Sequence, residues 1–288
     1  MERSPAVEAL LPAWQAAEFI QPTLDCLSAQ THKDFAVCVS VDQCDDETFA
    51  ICQRHAEFDK RFRVIQQERR LGYSGNCNFL LGQSKAEYVL FAFHDDILAP
   101  EYFEKLATAL DAHPQAVLSY SDVDVTHADG GREHWVYTSL EGIASRVKRG
   151  DRVMMGRGLW WVPNRGLFRL APARTIGGLK PHGAGEFAVD WPWLFRMSLL
   201  GEFVRVPETL CFKFYKPGSL SRGWRYSEEQ FFEVAAARMR ELWNSDLTSE
   251  EKLKLALRLS EWMVAHQPQP RRPDSPRPKS LASSKAET

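Results

Sequence analysis

Two adjacent carboxylates, Asp95 and Asp96, follow the apolar run Tyr88 to Phe93 in "EYVLFAFHDDILAP". Aromatic and β-branched residues without polar alternation suit a strand covered on both faces. Neighbouring carboxylates at its end repel each other unless something offsets their charge. A divalent cation does so, because hard oxygen ligands at the carboxyl end of a central strand are where an open α/β sheet binds its ligands. The plainer alternative is a solvated turn or cap ahead of a helix opened by Pro100. Asp42 likewise ends an apolar run, "FAVCVSVD", and Asp190 precedes the helix-like "WPWLFRMSLLG". A carboxylate just before a helix is either an N-cap or a group projecting into a cleft, and the two roles are compatible.

The elements that must position these groups alternate strand and helix at short intervals, the signature of a mainly parallel sheet with crossover helices. The expected strands are "VEALLP", "FAVCVSVD", "FRVIQ", "YVLFAF" and "AVLSYSDVDV". The helices between them run over about 16–29, "DDETFAICQRHAEF", "SGNCNFLLGQS" and "PEYFEKLATALDAH". From Asp129 to about Pro163 the pattern is irregular and includes "GRGLWWVPNRG". Beyond it come "GLFRL", the helix-like "APARTIGG" and "VDWPWLFRMSLLG", then strands in "EFVRV" and "TLCFKFY". Two helices follow, one over about Ser227 to Trp243 and one opened by Thr248 with Glu251 in capping-box spacing. The end, "QPQPRRPDSPRPKSLASSKAET", has the composition of a disordered tail.

With 288 residues, 44% of them hydrophobic, the chain can bury a substantial core. Its formal charge of −2 gives no case for nucleic acid as a partner. No stretch approaches a membrane span and the start lacks a signal peptide's features, so the chain reads as cytosolic. The six cysteines form no CxxC pair and no zinc spacing, which predicts reduced, mostly buried thiols.

The order of motifs resembles that of the family-2 inverting glycosyltransferases. Pro12 and Gln15 stand where that family has a proline and an asparagine, and "CLSAQT", "VDQCDDET", "RRLGYSGNCN", "FHDDILAP", "RGLFRL" and "FAVD" follow in the family's order over about Glu8 to Ser221. Three positions depart from the pattern. Phe93 lies where the first aspartate of an Asp-x-Asp often is, Val189 replaces a common glutamate, and Lys216 replaces a frequent histidine.

The resemblance implies an α/β GT-A fold, Rossmann-like, with a mixed, mainly parallel sheet, and transfer of a sugar from a nucleoside-diphosphate donor to a hydroxyl acceptor with inversion. It implies Mn²⁺ or Mg²⁺, with Asp96 as direct ligand and Asp95 touching metal or ribose. Asp42 is the expected base-reading aspartate. Pro12, Trp14, Arg70, Gly72 and Asn78 are the other donor-binding positions, glycine allowing close backbone approach and arginine meeting phosphate or base; a structural amide is the alternative for Asn78. Asp190 is the expected general base. Trp160, Trp161, Trp191 and Lys216 are candidates for an acceptor site or lid, whereas Trp193 reads as core. His94 is either a partner of the carboxylates or a buried histidine.

The implied organisation is a transferase domain over 1–225, a helical extension over 226–266 and a tail over 267–288. The expected partners are a UDP-sugar and a glycan, lipid-linked or protein acceptor in surface-polysaccharide or glycoconjugate synthesis, a hexosyl transfer with at most peripheral membrane contact. The rivals are a catalytically inactive nucleotide-sugar binder and a nucleotidyltransferase. The second would want a glycine- and basic-rich phosphate loop after the first strand, which "LPAWQAAEF" does not supply.

Overall fold

The computed structural model of the chain describes residues 4–94, 96–215 and 227–266. β1 (Val7–Ala13), β2 (Phe35–Val41), β3 (Phe62–Gln66) and β4 (Tyr88–Phe91) pair in parallel in the order β3-β2-β1-β4. All seven residues of β1 are buried, so the strand has no solvent face, and Glu8 is its single charged residue. Helices α1 (Ile20–Ser28), α2 (Thr48–Phe58), α3 (Gly72–Gln83) and α4 (Tyr102–Ala112) connect the strands. α1 is shorter than its apolar pattern suggests, and buries Ile20, Thr23, Leu24 and Leu27, a single helical face.

The strand expected to reach Phe93 ends at Phe91. After a bend, the chain re-enters the sheet as β5 (Asp96–Leu98), so Asp96 opens a strand and is not the loose end of one. β5 lies at the far edge in the order β4-β8-β6-β9-β5, where β6 is Ala116–Thr126, β8 Leu167–Arg169 and β9 Glu202–Phe214; β7 (Arg132–Trp135) pairs on β6. The strands expected in "EFVRV" and "TLCFKFY" are one, β9. Ser121 faces Val206 and Asp122 faces Thr209, so Pro207 and Glu208 bulge from the ladder, where the missing N–H of Pro207 costs no ladder bond.

α5 (Arg146–Met154) falls in the segment that reads as irregular. Its buried positions include Arg149 and Gly150, which leave no apolar stripe to read there. Arg149 Nε donates to Ser198 O at 3.0 Å, and a Cβ on Gly150 would come within 2.6 Å of Leu199, so the glycine allows α5 to lie close on α7 (Asp190–Leu200). α6 (Leu170–Ile176) ends at Gly177, whose φ of 86° is left-handed.

α8 (Glu228–Trp243) and α9 (Ser249–Ala265) each start with a capping box, Ser227 with Gln230 and, as expected, Thr248 with Glu251. They share the core of the sheet domain through Val234, Leu242, Leu255 and Leu259. Arg238, fully buried, stacks between Trp191 at 3.8 Å and Trp262 at 4.8 Å. The tail expected over 267–288 lies outside the described residues. All six cysteines are free, and Cys38, Cys52, Cys77 and Cys211 are buried. Among the described residues no helix is long and apolar enough to cross a membrane.

Candidate active site

Parallel pairing carries the carboxyl ends of β1 to β4 to one edge of the sheet, and the chain leaves each strand there through the residues singled out above. Trp14 follows β1 and Arg70 lies between β3 and α3. The Arg70 guanidinium sits 3.6 Å over the Trp14 ring, a flat pair carrying one positive charge. With Gln15, Gln43, Cys44 and Asp45 they line an open cavity of about 350 Å³. Pro12 does not line it. That residue is buried in β1 opposite Ser40, beyond the last pairing with β4 at Leu10, where a missing N–H breaks no bond to that strand.

Asp42 and Gly72 are joined, for a reason the sequence does not suggest. Asp42 is buried, and its two oxygens accept the N–H groups of Leu71 at 3.1 Å and Gly72 at 2.9 Å. Burial pushes its carboxyl up, against the pull of these N–H groups and of Arg70. Glu186 then accepts from the N–H groups of Tyr73 and Ser74 and from the Ser74 hydroxyl, and so caps α3 from 112 residues away. Gly72 has a φ of 77°, and a Cβ there would lie 2.9 Å from both Glu186 carboxylate oxygens. The close approach that requires glycine is therefore made by Glu186.

Asp96 is buried and faces two cations. Lys213, its partner across β5 and β9, brings Nζ to 3.2 Å of Oδ1, and Arg165 Nε lies 2.8 Å from Oδ2 without the alignment of a directed hydrogen bond. A carboxylate so compensated does not fit the direct metal contact expected of it. Among the described residues no three histidine, cysteine or acidic side chains come together as metal ligands. Asp95 lies outside the described residues, as does Lys216. His94 packs on Phe19 with ring centroids 5.0 Å apart.

Asp190 is the first residue of α7, but its side chain does not act as the N-cap. Oδ2 accepts a hydrogen bond of 3.0 Å from Asn164 Nδ2. Burial pushes the carboxyl up to about 6, although Arg165 and the N–H groups of Asp190 and Trp191 favour the charged form. Asn164 and Arg165 belong to one 3-10 turn, Val162–Arg165, so consecutive residues hold Asp190 and Asp96.

Trp160 stacks on Trp191 at 4.3 Å, and Trp161 meets Trp135 edge to face. Trp191 itself is buried and donates to Val153 O at 2.6 Å, so it is core and not a lid. Trp160 and Trp161 stay partly exposed beside it. Gly156, at a φ of 62°, leaves room for the Trp191 and Trp160 rings, since a Cβ there would lie 2.5 Å from Trp191 and 3.3 Å from Trp160. Trp193 is core, as expected. Asn78 takes the structural alternative. Its amide clamps both backbone groups of Leu179, at 2.6 and 2.8 Å, and leaves little for a donor sugar.

Glu186, Asn164, Arg165 and Lys213 are absent from the sequence-derived site. Lys213 alone had a local signal, a single charge inside the otherwise apolar "TLCFKFY", which requires a buried partner.

The glycosyl transferase family 2 model matches residues 9–189. An uncharacterized glycosyltransferase of Haemophilus influenzae is 28% identical over 127 residues, covering 43% of this chain and 39% of its own length. The putative glycosyltransferase EpsH of Bacillus subtilis is 28% identical over 152 residues, 48% of this chain and 44% of its own. The chain thus spans less than half the length of these relatives. Among solved structures, S. aureus TarS 1-349 in complex with UDP-GlcNAc superposes with a TM-score of 0.70 at 19% identity, over 91% of this chain and 73% of that one. A mannosyltransferase of Pyrobaculum calidifontis, PcManGT, in complex with GDP-Man and Mn²⁺, gives 0.56 at 14%, over 91% and 75%. The parallel half-sheet with its ligand edge, the ordered motifs and the match over 9–189 together make this chain a member of glycosyl transferase family 2 with the GT-A fold.

Proposed function

We propose that the protein transfers a hexosyl group from a UDP-sugar to a hydroxyl of a carbohydrate-bearing acceptor in surface-polysaccharide or glycoconjugate synthesis, with inversion. The observation that carries this reading is Asp190, a half-buried carboxylate at the first residue of α7, held by Asn164 at 3.0 Å and pushed up to about 6. A general base works best with its pKa near the working pH. The acceptor oxygen attacks the anomeric carbon on the side opposite the diphosphate. The new C–O bond forms as the bond to the phosphate oxygen breaks, whose electron pair leaves with the nucleoside diphosphate, and the hydroxyl proton goes to Asp190. One displacement inverts the configuration.

The cavity walled by Trp14 and Arg70 suits the planar base of the donor, and the TarS complex with UDP-GlcNAc favours uracil. Trp160 and Trp161, partly exposed next to Trp191, offer aromatic faces for an acceptor sugar ring. Mn²⁺ or Mg²⁺ stays in the proposal through Asp95, and would neutralise the diphosphate as it leaves. Loss of activity in chelator with recovery on adding Mn²⁺ tests that part. Asp190→Asn tests the base. It keeps the shape but takes no proton, so turnover should fall about 10²- to 10⁴-fold with donor affinity unchanged. Near-normal turnover, or a product retaining the donor's configuration, would overturn the reading.

A further inference from the structure

The Asp190 carboxylate has two oxygens, and a side chain from another element holds one of them, Oδ2. Asn164 Nδ2 donates to Oδ2 at 3.0 Å. An ionised carboxylate accepts and cannot donate, so the amide must present its nitrogen there. Its own oxygen is buried, with the Tyr73 hydroxyl beside the amide.

The turn that carries Asn164 is held on both sides. Asn164 N–H donates to Trp161 O at 3.1 Å and Gly166 N–H to Pro163 O at 2.9 Å. A Cβ on Gly166 would lie 2.4 Å from the Ser119 carbonyl oxygen, so only glycine lets the turn rest on β6. Asn164 is itself buried, which leaves its amide one well-defined place relative to α7.

We propose that Asn164 is a positioning residue for the transfer: it holds Oδ2 of Asp190 and thereby leaves Oδ1 as the atom that receives the acceptor's proton. The inference rests on the reading of Asp190 as the base. In the step, the acceptor O–H bond breaks as its oxygen bonds to the anomeric carbon, the proton passes to Oδ1, and the electron pair of the broken C–O bond leaves on the diphosphate. A carboxylate free to rotate would present either oxygen and lose alignment with the hydroxyl. One fixed from behind keeps it.

Among the described residues, the other charged or titratable groups facing Asp190 are Arg165, from the same turn, and Tyr73, from α3, and the N–H groups of Asp190 and Trp191 also favour its charged form. Donation to the ionised form favours it, so removing the donor moves the acid limb of the pH profile to higher pH.

The test is the pH profile of kcat/KM for Asn164→Ala and the nearly isosteric Asn164→Asp, with UDP-sugar affinity measured alongside. Both variants should bind UDP-sugar as the parent does, and both should lose about 10- to 100-fold in turnover at pH 7. Both should show an acid limb at higher pH, and Asn164→Asp the more so because it adds a like charge. Asn164→Ser, a short donor, should recover part of the loss. Asp190→Asn is run in parallel. If it keeps turnover, the reading of Asp190 as base fails. If it collapses while the acid limbs of folded Asn164→Ala and Asn164→Asp stay where the parent's is, Asp190 remains the base and the role given to Asn164 is overturned.

Discussion

Asp96 and Lys213 are register partners across β5 and β9, and their charged atoms meet at 3.2 Å with both side chains buried. Arg165 completes the cluster at 2.8 Å from the other carboxylate oxygen. Ions taken out of water are tolerated only in such company. Asp96 therefore ties the edge strand β5 to β9 and to the turn that holds Asp190.

Replacing Asp96 with alanine leaves the cations without this carboxylate in a buried place. The expected cost is about 3–5 kcal/mol of folding stability. Urea unfolding of Asp96→Ala measures it. A variant within about 1 kcal/mol of the parent would show that the cluster is not structural.

The Asp190 carboxyl is pushed up from its ordinary 3.8 to about 6 in the folded chain. Between these values the folded protein holds a proton that the unfolded chain has released. Stability must then fall as pH rises through that window and stay lower above it. Asparagine carries no such penalty. The stability of Asp190→Asn relative to the parent should rise between pH 4 and pH 7, by at most about 3 kcal/mol. Urea melts at four pH values across the window check this, and a difference that does not vary with pH would mean that Asp190 titrates normally.

Gln15 has a φ of 45°, in the left-handed region that asparagine tolerates better than other non-glycine residues. That gives a backbone reason for the asparagine usual here in the family. Gln15→Asn should stabilise the protein by roughly 0.5–1 kcal/mol, part of the left-handed penalty. An unchanged or lowered denaturation midpoint would refute the strain argument.

Glu186→Ala removes the acceptor of the Tyr73 and Ser74 N–H groups of α3, at an expected cost of about 1–2 kcal/mol. Gly72→Ala suffers both its positive φ and its contact with Glu186. The contact vanishes in the double variant, so Gly72→Ala should cost less with alanine at 186 than with glutamate. A double-mutant cycle by thermal or urea unfolding reads this coupling. Additive losses would separate the two residues.

Local chemistry in the chain settled a good deal by itself. Mostly apolar runs marked β1, β2 and β4, because a strand buried on both faces admits few polar side chains, and Thr248 with Glu251 marked the start of α9 through contacts three residues apart. Trp193 in the core and the family's order of motifs were legible in the same way, since each depends on neighbours along the chain. Partner choice between distant segments was not. Asp96 meets Lys213 across 117 residues, Ser74 meets Glu186 across 112, and Asn78 meets Leu179 across 101. Periodicity tells which face of an element is buried but not which group on another element lies opposite it. Only when the sheet closes β5 onto β9 and seats the 162–165 turn on β6 does an aspartate that reads as a metal ligand become the centre of an ion cluster. The same packing brings Asn164, with no signal of its own in the sequence, to the carboxylate at the start of α7.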